Sequence, residues 1–429
     1  MPVAIIGASP ARGDARAKVT GQAVYPADIT FPGMIYGHTV RSPHAHARIV
    51  HLDTAAALQV PGVICVLTAR DIPGHNGQGV LFQDMPVLAG EEVRSVNDVV
   101  ALVGATTPAA AKEGAARVKV DYEELPALLD PVAAMQPGAP RVHPDRENII
   151  YHLPIRKGDI QAGFATADVI VENTYRTQLL DHAFLQPEAA VARLDERDHL
   201  VIYVATQYVH WDRTEVARVL GWNQDRIRIV APMVGGAFGG REDMTLQTLV
   251  ALLAVHTRRP AKMVLNREES FQAHSKRHPM IMRYKTGATR AGKLTALEAE
   301  IIGDSGAYSS WAPNVLRKAA IHATGPYVVP HVKIDAYAVY TNNPFTGAMR
   351  GFGATQPPLA YESQMDELAA RLGLHPFTIR WLNAFRQGDV TATGQVLESS
   401  VGLTETMLQA ARAAGWSPAD LIPGQKADG

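Results

Sequence analysis

The sequence predicts an α+β protein built from two unequal units. Three observations carry that reading. Strand-like and helix-like stretches are mixed rather than strictly alternating, which argues against a doubly wound sheet. A stretch with four prolines in eighteen residues, "PVAAMQPGAPRVHPDREN", divides the chain. At 429 residues the chain is also too long for one ordinary core, given roughly 150 residues per domain. The expected division is a first unit over 1–132, a linker or surface crossover over 133–150, and a second unit over 151–429.

In the first unit, β-branched runs ("MIYGHTV", "RIVHL", "GVICVLT", "VVALVG", "RVKVDY") are strands, and "TPAAAKEGAA" carries apolar residues at helical spacing. The unit is therefore an α/β module. In the second, "ADVIVENTYRT", "HLVIYVAT", "RIRIVAP", "AKMVLN", "IMRYKTGATRAGKLTALEAEII" and "VKIDAYAVYT" are strands, and "TRAGK" is a hairpin turn whose glycine supplies φ > 0. Helices are expected at "RTEVARVLG", "MTLQTLVALLAVHT", "PPLAYESQMDELAARLG" and "HPFTIRWLNAFRQG". The helix "LTETMLQAARAAG" follows no complete strand set, so a partner chain is expected to complete the last core.

Bulk composition narrows the function. The 41 basic and 42 acidic residues nearly cancel to a net −1, so nothing favours nucleic acid or an anionic membrane as partner. No apolar run approaches the ~18 residues of a membrane span, and the start lacks the basic n-region of a signal peptide. A soluble, cytoplasmic chain is expected. Cys65 is the only cysteine, which excludes an internal disulfide and any cysteine-ligated iron–sulfur or zinc site made by this chain alone. Its β-branched surroundings mark it as a buried structural thiol.

Two glycine loops stand out. "GGAFGGRED", residues 235–243, follows a strand expected at 226–231 and precedes a helix expected near Met244. Strand, glycine loop and helix can present backbone N–H groups to an anion, but the loop lacks the Gly-Lys-Ser/Thr ending of a nucleotide loop and the G-x-G-x-x-G spacing of a dinucleotide fold. A tight turn whose glycines only permit unusual dihedrals is the alternative. The loop "NNPFTGAMRGFGATQPP", 342–358, repeats the grammar, with Arg350 and Phe352 alternating with Gly351 and Gly353. Glycines let a bulky ligand approach the main chain, Arg350 offers a planar cationic fork, and Phe238 and Phe352 offer flat apolar surface. Gln207 ends a strand, a place where a glutamine is ordinarily solvated. His44 and His46 share one side of an extended segment without a third ligand at metal-site spacing, which favours surface or packing roles. No serine-hydrolase elbow or zinc-protease H-E-x-x-H is present.

Taken together, the two loops resemble those of the molybdenum-binding subunit of the xanthine dehydrogenase family, the molybdenum hydroxylases. "GGAFGGRED" is similar to the family's GGGFGGKE loop and "AMRGFGATQ" to its FRGFGGPQ loop. "RGDARAKVTGQAVYPADI", "RSPHAHARI" and "VDYEELPALLDP" resemble the N-terminal α/β hammerhead domain, and "KGDIQAGFATADVIVENTY" and "GDSGAY" are also family phrases. The resemblance implies a hammerhead domain followed by the first half of a molybdopterin-binding domain. It implies a molybdopterin, or molybdopterin cytosine dinucleotide, whose dithiolene holds molybdenum, with no direct protein ligand to the metal.

By that resemblance, Gln207 matches the glutamine that hydrogen-bonds the metal's oxo ligand. Gly236, Ala237, Phe238, Gly239 and Gly240, with Ala348, Met349 and Arg350, match loop residues beside the cofactor. Phe352 matches an aromatic that holds a flat substrate ring, and Glu242 a glutamate that orients a heterocycle. Lys318, with Arg317 beside it, falls where purine oxidisers place a substrate-binding arginine. Arg241 stands where lysine is common and Met349 where an aromatic is common, which reshapes the expected pocket. The family's general base, a glutamate, belongs to a C-terminal half absent from this sequence. The expectation is thus a split large subunit, as in nicotinate dehydrogenase, whose second molybdopterin-binding subunit carries that glutamate. The implied reaction hydroxylates an electron-poor carbon of a purine or nicotinate-like N-heterocycle with oxygen from water, and electrons leave through [2Fe-2S] clusters on one partner subunit to FAD on another. The alternatives are aldehyde oxidation or aromatic acyl-CoA reduction on the same scaffold, and a non-catalytic molybdopterin-binding paralogue.

Overall fold

The computed structural model describes residues 6–417 and 421–422. The strand Ile35–Arg41 joins the two units. On one side it pairs antiparallel with Val99–Ala105; on the other it pairs parallel with Ala261–Val264, through Ile35↔Ala261 and Tyr36↔Lys262. One seven-stranded sheet results, in the order 227–230, 200–204, 189–194, 261–264, 35–41, 99–105, 63–67. Strands from both sides of the proline-rich stretch share this sheet, and a common core packs Ile35, Cys65 and Leu102 with Ala192, Ile202 and Leu253.

The helix Gln247–Thr257 covers that sheet. Its sequence is apolar nearly all round, and every residue from Gln247 to Ala254 is buried, as expected of a helix with neighbours on more than one side. Two strand glycines set its depth: a Cβ on Gly37 or Gly104 would lie 2.5 or 2.9 Å from Leu253. Each such fully buried leucine contributes ~2 kcal/mol of hydrophobic stabilisation.

A five-stranded sheet, ordered 149–157, 331–340, 294–306, 280–288, 169–176, forms the second core. The hairpin turns where the sequence indicates, with Gly292 at φ 79° and Thr289 N–H donating to Lys293 O at 2.8 Å. The strands Leu294–Gly306 and His331–Tyr340 run parallel, so a crossover must join them, and the helix Ala312–Ile321 lies in it.

Three elements are not announced by their residues. The strand Ile149–Lys157 contains Pro154, which the sheet tolerates because this strand lies at its edge. Ala189–Leu194 is alanine-rich and poor in β-branched residues, yet it lies inside the large sheet with Ala189–Ala192 buried. Ala312–Ile321 begins with a proline at its first turn, which suits a helix start but reads as a breaker.

Within 133–150 the chain is pinned by its own side chains. Asn148 accepts from Val142 N–H at 3.0 Å and donates to the carbonyls of Ala134 and Pro140, and His143 Nε2 meets Ala307 O at 2.7 Å. The helix Leu403–Ala413 buries only Ala411, in a small cluster with Phe377 and Trp381. Cys65 is buried, and burial pushes its thiol up to about 11. His46 lies between Glu92 and the Pro126 carbonyl, and the His44 ring packs on Tyr122. Among the described residues no helix is long and apolar enough to cross a membrane.

Candidate functional site

Gln207 and the first glycine loop leave neighbouring parallel strands, Leu200–Val204 and Ile227–Val230, at their carboxyl ends. A crevice beyond strand ends is where open sheets place ligands. The Gln207 side chain is fixed by the loop it faces. Its Oε1 accepts from the N–H of Gly239 at 3.0 Å and of Arg241 at 3.4 Å, and its Nε2 donates to Glu242 Oε1 at 3.3 Å. Two backbone donors therefore settle which end of the amide is oxygen, and one amide hydrogen is left to face outward.

The three charged residues closing the loop point three ways. Arg241 turns inward: its guanidinium donates to Gly236 O at 2.9 Å and to Gln186 O and lies 4.2 Å from the Phe184 ring centre. Burial pulls it down to about 10. It braces the loop from behind instead of lining a pocket. Asp243 is also buried and accepts from Ser310 Oγ at 2.6 Å. Glu242 alone stays half-buried beside Gln207; burial and the Asp243 charge push it up to about 7, against the opposing Gln207 hydrogen bond. The helix begins at Gln247, three residues beyond Met244.

The second glycine loop locks onto the first. Arg350 N–H donates to Phe238 O at 2.8 Å, and a Cβ on Gly239 would lie 2.5 Å from Ala348 O. His182 Nε2 meets the same Ala348 carbonyl at 2.7 Å, and burial holds the imidazole down at about 4, hence neutral with Nε2 as donor. Arg277 donates to Arg350 O and Thr355 Oγ1, each at 2.8 Å. Phe238 and Phe352 both occupy the left-handed region, at φ 53° and 50°. Phenylalanine is unusual there, and the surrounding structure holds each one.

Much of the loop's bareness serves the chain's own packing, since side chains on Gly235, Gly236 and Gly240 would meet Gln186, Phe184 and His182. The main chain keeps unused donors: among the described residues the N–H groups of Gly236, Ala237 and Phe238 have no partner, and Phe238 is 49% exposed. Three consecutive free donors beside the outward Gln207 amide suit a group rich in acceptor oxygens.

An aromatic wall completes the site. Tyr208, next to Gln207, lies 6.0 Å from Trp311, which meets Phe352 edge-on at 5.7 Å. The Lys318 ammonium sits 5.6 Å from the Phe352 ring centre. Arg350 and Arg317 are exposed, and the Arg350 guanidinium makes no ion pair among the described residues. Met349 is partly buried in the loop between Ala348 and Arg350. The structure thus brings Gln207, Phe238, Gly239 and Glu242 together with Ala348 and Arg350, and puts Phe352 and Lys318 on one wall. Sequence reasoning missed Tyr208 and Trp311. Tyr208 adjoins Gln207 in the chain, a usable signal, whereas Trp311 reaches the wall only through the crossover helix.

Residues 142–384 match the family described as "Molybdopterin cofactor-binding domain", and residues 20–126 that described as "Aldehyde oxidase and xanthine dehydrogenase, a/b hammerhead domain". The fold and site are therefore those of a molybdopterin-binding oxidoreductase subunit. The chain is 44% identical over 406 residues to the nicotinate dehydrogenase large molybdopterin subunit of Eubacterium barkeri, covering 95% of both chains. It is 37% identical to a probable xanthine dehydrogenase subunit of Bacillus subtilis (strain 168), over 95% of this chain and 54% of that one. The aldehyde oxidoreductase from Desulfovibrio gigas superposes with a TM-score of 0.90 at 34% identity, covering 94% of this chain and 46% of that one. Apart from the Eubacterium subunit, the chain spans about half the length of these relatives. It belongs to the xanthine dehydrogenase family of molybdenum-dependent oxidoreductases.

The residues present fit the family's cofactor. Free N–H groups at Gly236, Ala237 and Phe238 and the outward Gln207 amide are the donors that would hold it, and the exposed Phe238 ring offers it an apolar edge.

Proposed function

We propose that this chain is the molybdopterin-binding subunit of a multi-subunit hydroxylase that oxidises an electron-poor carbon of an N-heterocycle of purine or nicotinate type. The observation that carries this reading is Glu242, whose carboxyl, pushed up to about 7, is bonded to Gln207 and acts electrostatically on Tyr208, the first ring of the Tyr208–Trp311–Phe352 series. When bound, the molybdenum cofactor supplies the two-electron oxidation and a water-derived oxygen.

The chain's own residues do the rest. Gln207, its orientation fixed by the N–H groups of Gly239 and Arg241, would offer its remaining amide hydrogen to the bound cofactor. Trp311 and Phe352 hold a flat ring and exclude water from its faces. Glu242, protonated for much of the time near pH 7, can donate to a ring nitrogen or accept from a ring N–H, so it orients heterocycles in preference to simple aldehydes. Lys318 supplies positive charge at the far edge of Phe352, where a substrate carboxylate or carbonyl would sit. The general base comes from a second molybdopterin-binding subunit, and iron–sulfur and flavin subunits carry the electrons away; the Eubacterium relative, named a large molybdopterin subunit, supports the first part of this division.

The test is coexpression with and without a second molybdopterin-binding chain, reading molybdenum content and turnover of nicotinate, xanthine and benzaldehyde. Full metal loading and activity of the chain alone would sink the shared-site reading. Glu242→Ala is expected to cost heterocycle oxidation at least ~10-fold more than aldehyde oxidation. Equal losses would assign Glu242 to cofactor positioning instead.

A further inference from the structure

We propose that a cavity between the two units, beside Arg41, binds a small organic carboxylate. The cavity encloses about 230 Å³ and lies behind the first glycine loop, with Met244 and Thr245 in its wall. Its walls are largely apolar, including Met85, Val87, Leu249, Phe271 and Phe345. Into this setting the strand Ile35–Arg41 delivers its last residue, an arginine. Among the described residues the only hydrogen bond of that guanidinium is from Nη1 to the Asn97 carbonyl at 2.8 Å, and Asn97 reaches it from a left-handed backbone at φ 76°.

Among the described residues no carboxylate forms an ion pair with Arg41, although Asp98 lines the same cavity. Asp98 accepts from Tyr308 Oη at 2.6 Å and from the N–H groups of Arg94 and Ser95. Glu269 caps its own helix through Asn266 N–H and faces His38 at 3.6 Å. Glu188 faces His274 at 2.9 Å, and Asp181 is shared by His274 and Lys276, each at 3.1 Å. The Lys276 ammonium, also in the wall, spends a second donor on the His274 carbonyl. Burial alone pulls Arg41 down to about 10, against the more distant pull of Asp98, Glu269 and Glu188. Arg41 is partly buried and has no ion pair among the described residues, and the unused face of a guanidinium matches the two oxygens of a carboxylate.

The walls select the rest of the ligand. Apolar side chains make up most of the lining beside a smaller polar part that includes Gln78, Ser95 and Lys276, which suits a monocarboxylate with one charged edge and an apolar or aromatic body better than a phosphate charged on all sides. The volume suits a single ring or a short aliphatic acid. Because Met244 and Thr245 directly follow Glu242 and Asp243 in the chain, a ligand there bears on the back of the loop that carries the candidate active site.

The experiment is calorimetric titration of the full chain with benzoate, alongside benzamide as its neutral isostere and inorganic phosphate. Saturable benzoate binding is expected, with neither benzamide nor phosphate saturating in the same range. Arg41→Gln is expected to weaken benzoate at least ~10-fold, while Phe352→Ala, which alters the candidate active site, leaves it unchanged. If R41Q does not fold, Arg41→Lys keeps the charge but not the fork, and weaker binding is again expected. Absence of saturation, affinity unchanged in R41Q or R41K, or loss of binding in F352A would each overturn the proposal. None of these outcomes depends on the reaction proposed above.

Discussion

The two glycine loops share a grammar but divide the labour. In both, phenylalanine sits at φ near 50° with glycines at φ 93–104° around it. The first, with Gln207 behind it, presents functional groups: free N–H donors, an oriented amide and a carboxyl held near neutrality. The second also leaves backbone N–H groups without a partner among the described residues, at Met349, Gly351 and Gly353, but it carries no amide–carboxyl pair; its Ala348 carbonyl receives His182 Nε2, its Arg350 N–H grips the first loop, and Phe352 meets Trp311 edge-on. The first loop holds the Gln207–Glu242 pair, and the second grips that loop through Arg350 N–H. A sequence motif repeated within one chain thus need not mean a repeated role.

The largest effect is expected where the loops touch. Gly239→Ala places a Cβ 2.5 Å from Ala348 O at φ 104°, so it should cost several kcal/mol, roughly 3 or more, and abolish molybdenum loading. Thermal unfolding and metal analysis check this, and a normally loaded variant would break the clamp argument. Next comes Gln207→Glu, which keeps the acceptor for Gly239 N–H but loses the outward donor. Turnover is expected to fall ~10²-fold with the melting temperature nearly kept; a large stability loss with normal kcat would reduce Gln207 to a brace.

Glu242→Gln gives a smaller change. Wild-type heterocycle oxidation should show a transition near pH 7, because the raised carboxyl is protonated below that value and charged above it. The glutamine variant should lose that transition, with kcat/KM within ~10-fold of wild type at pH 6. Steady-state profiles decide, and an unchanged profile would place the titrating group elsewhere.

The smallest effect lies behind the loops. Asp212 is buried on the helix Val209–Leu220, beside Gln247 at 3.2 Å, and burial pushes it up to about 7. Its carboxyl is raised above its unfolded value, so its stabilisation is complete below about pH 4 and falls away as pH rises to about 7. The stability of Asp212→Asn relative to wild type should therefore rise from pH 4 to about pH 7 and level off above it. Denaturant titration at the two pH values measures it.

How much was legible differs between these regions. The glycine loops announce themselves because residues such as Gly239 and Gly353 occupy backbone conformations that few other residues adopt, and sequence records such constraints directly. Gln207 is locally an ordinary strand-end glutamine, and its place came only by resemblance. Arg241 gives no local sign that it is a buried brace, since an arginine beside two acids reads as a solvated charge. Tyr208 and Trp311 converge only after the crossover helix folds back over its sheet.

The sequence by itself determined the α+β class, most strands and helices, and the family to which the chain belongs. These depend on local periodicity and on loop residues with few substitutes. Only the tertiary structure decided that Ile35–Arg41 pairs with Ala261–Val264 to join both units in one sheet, that Arg241 turns inward while Glu242 faces the site, and that Arg41 is left in an apolar cavity. Partner choice and charge burial are set by residues far apart in the chain, and the energies that settle them exist only once those residues are packed together.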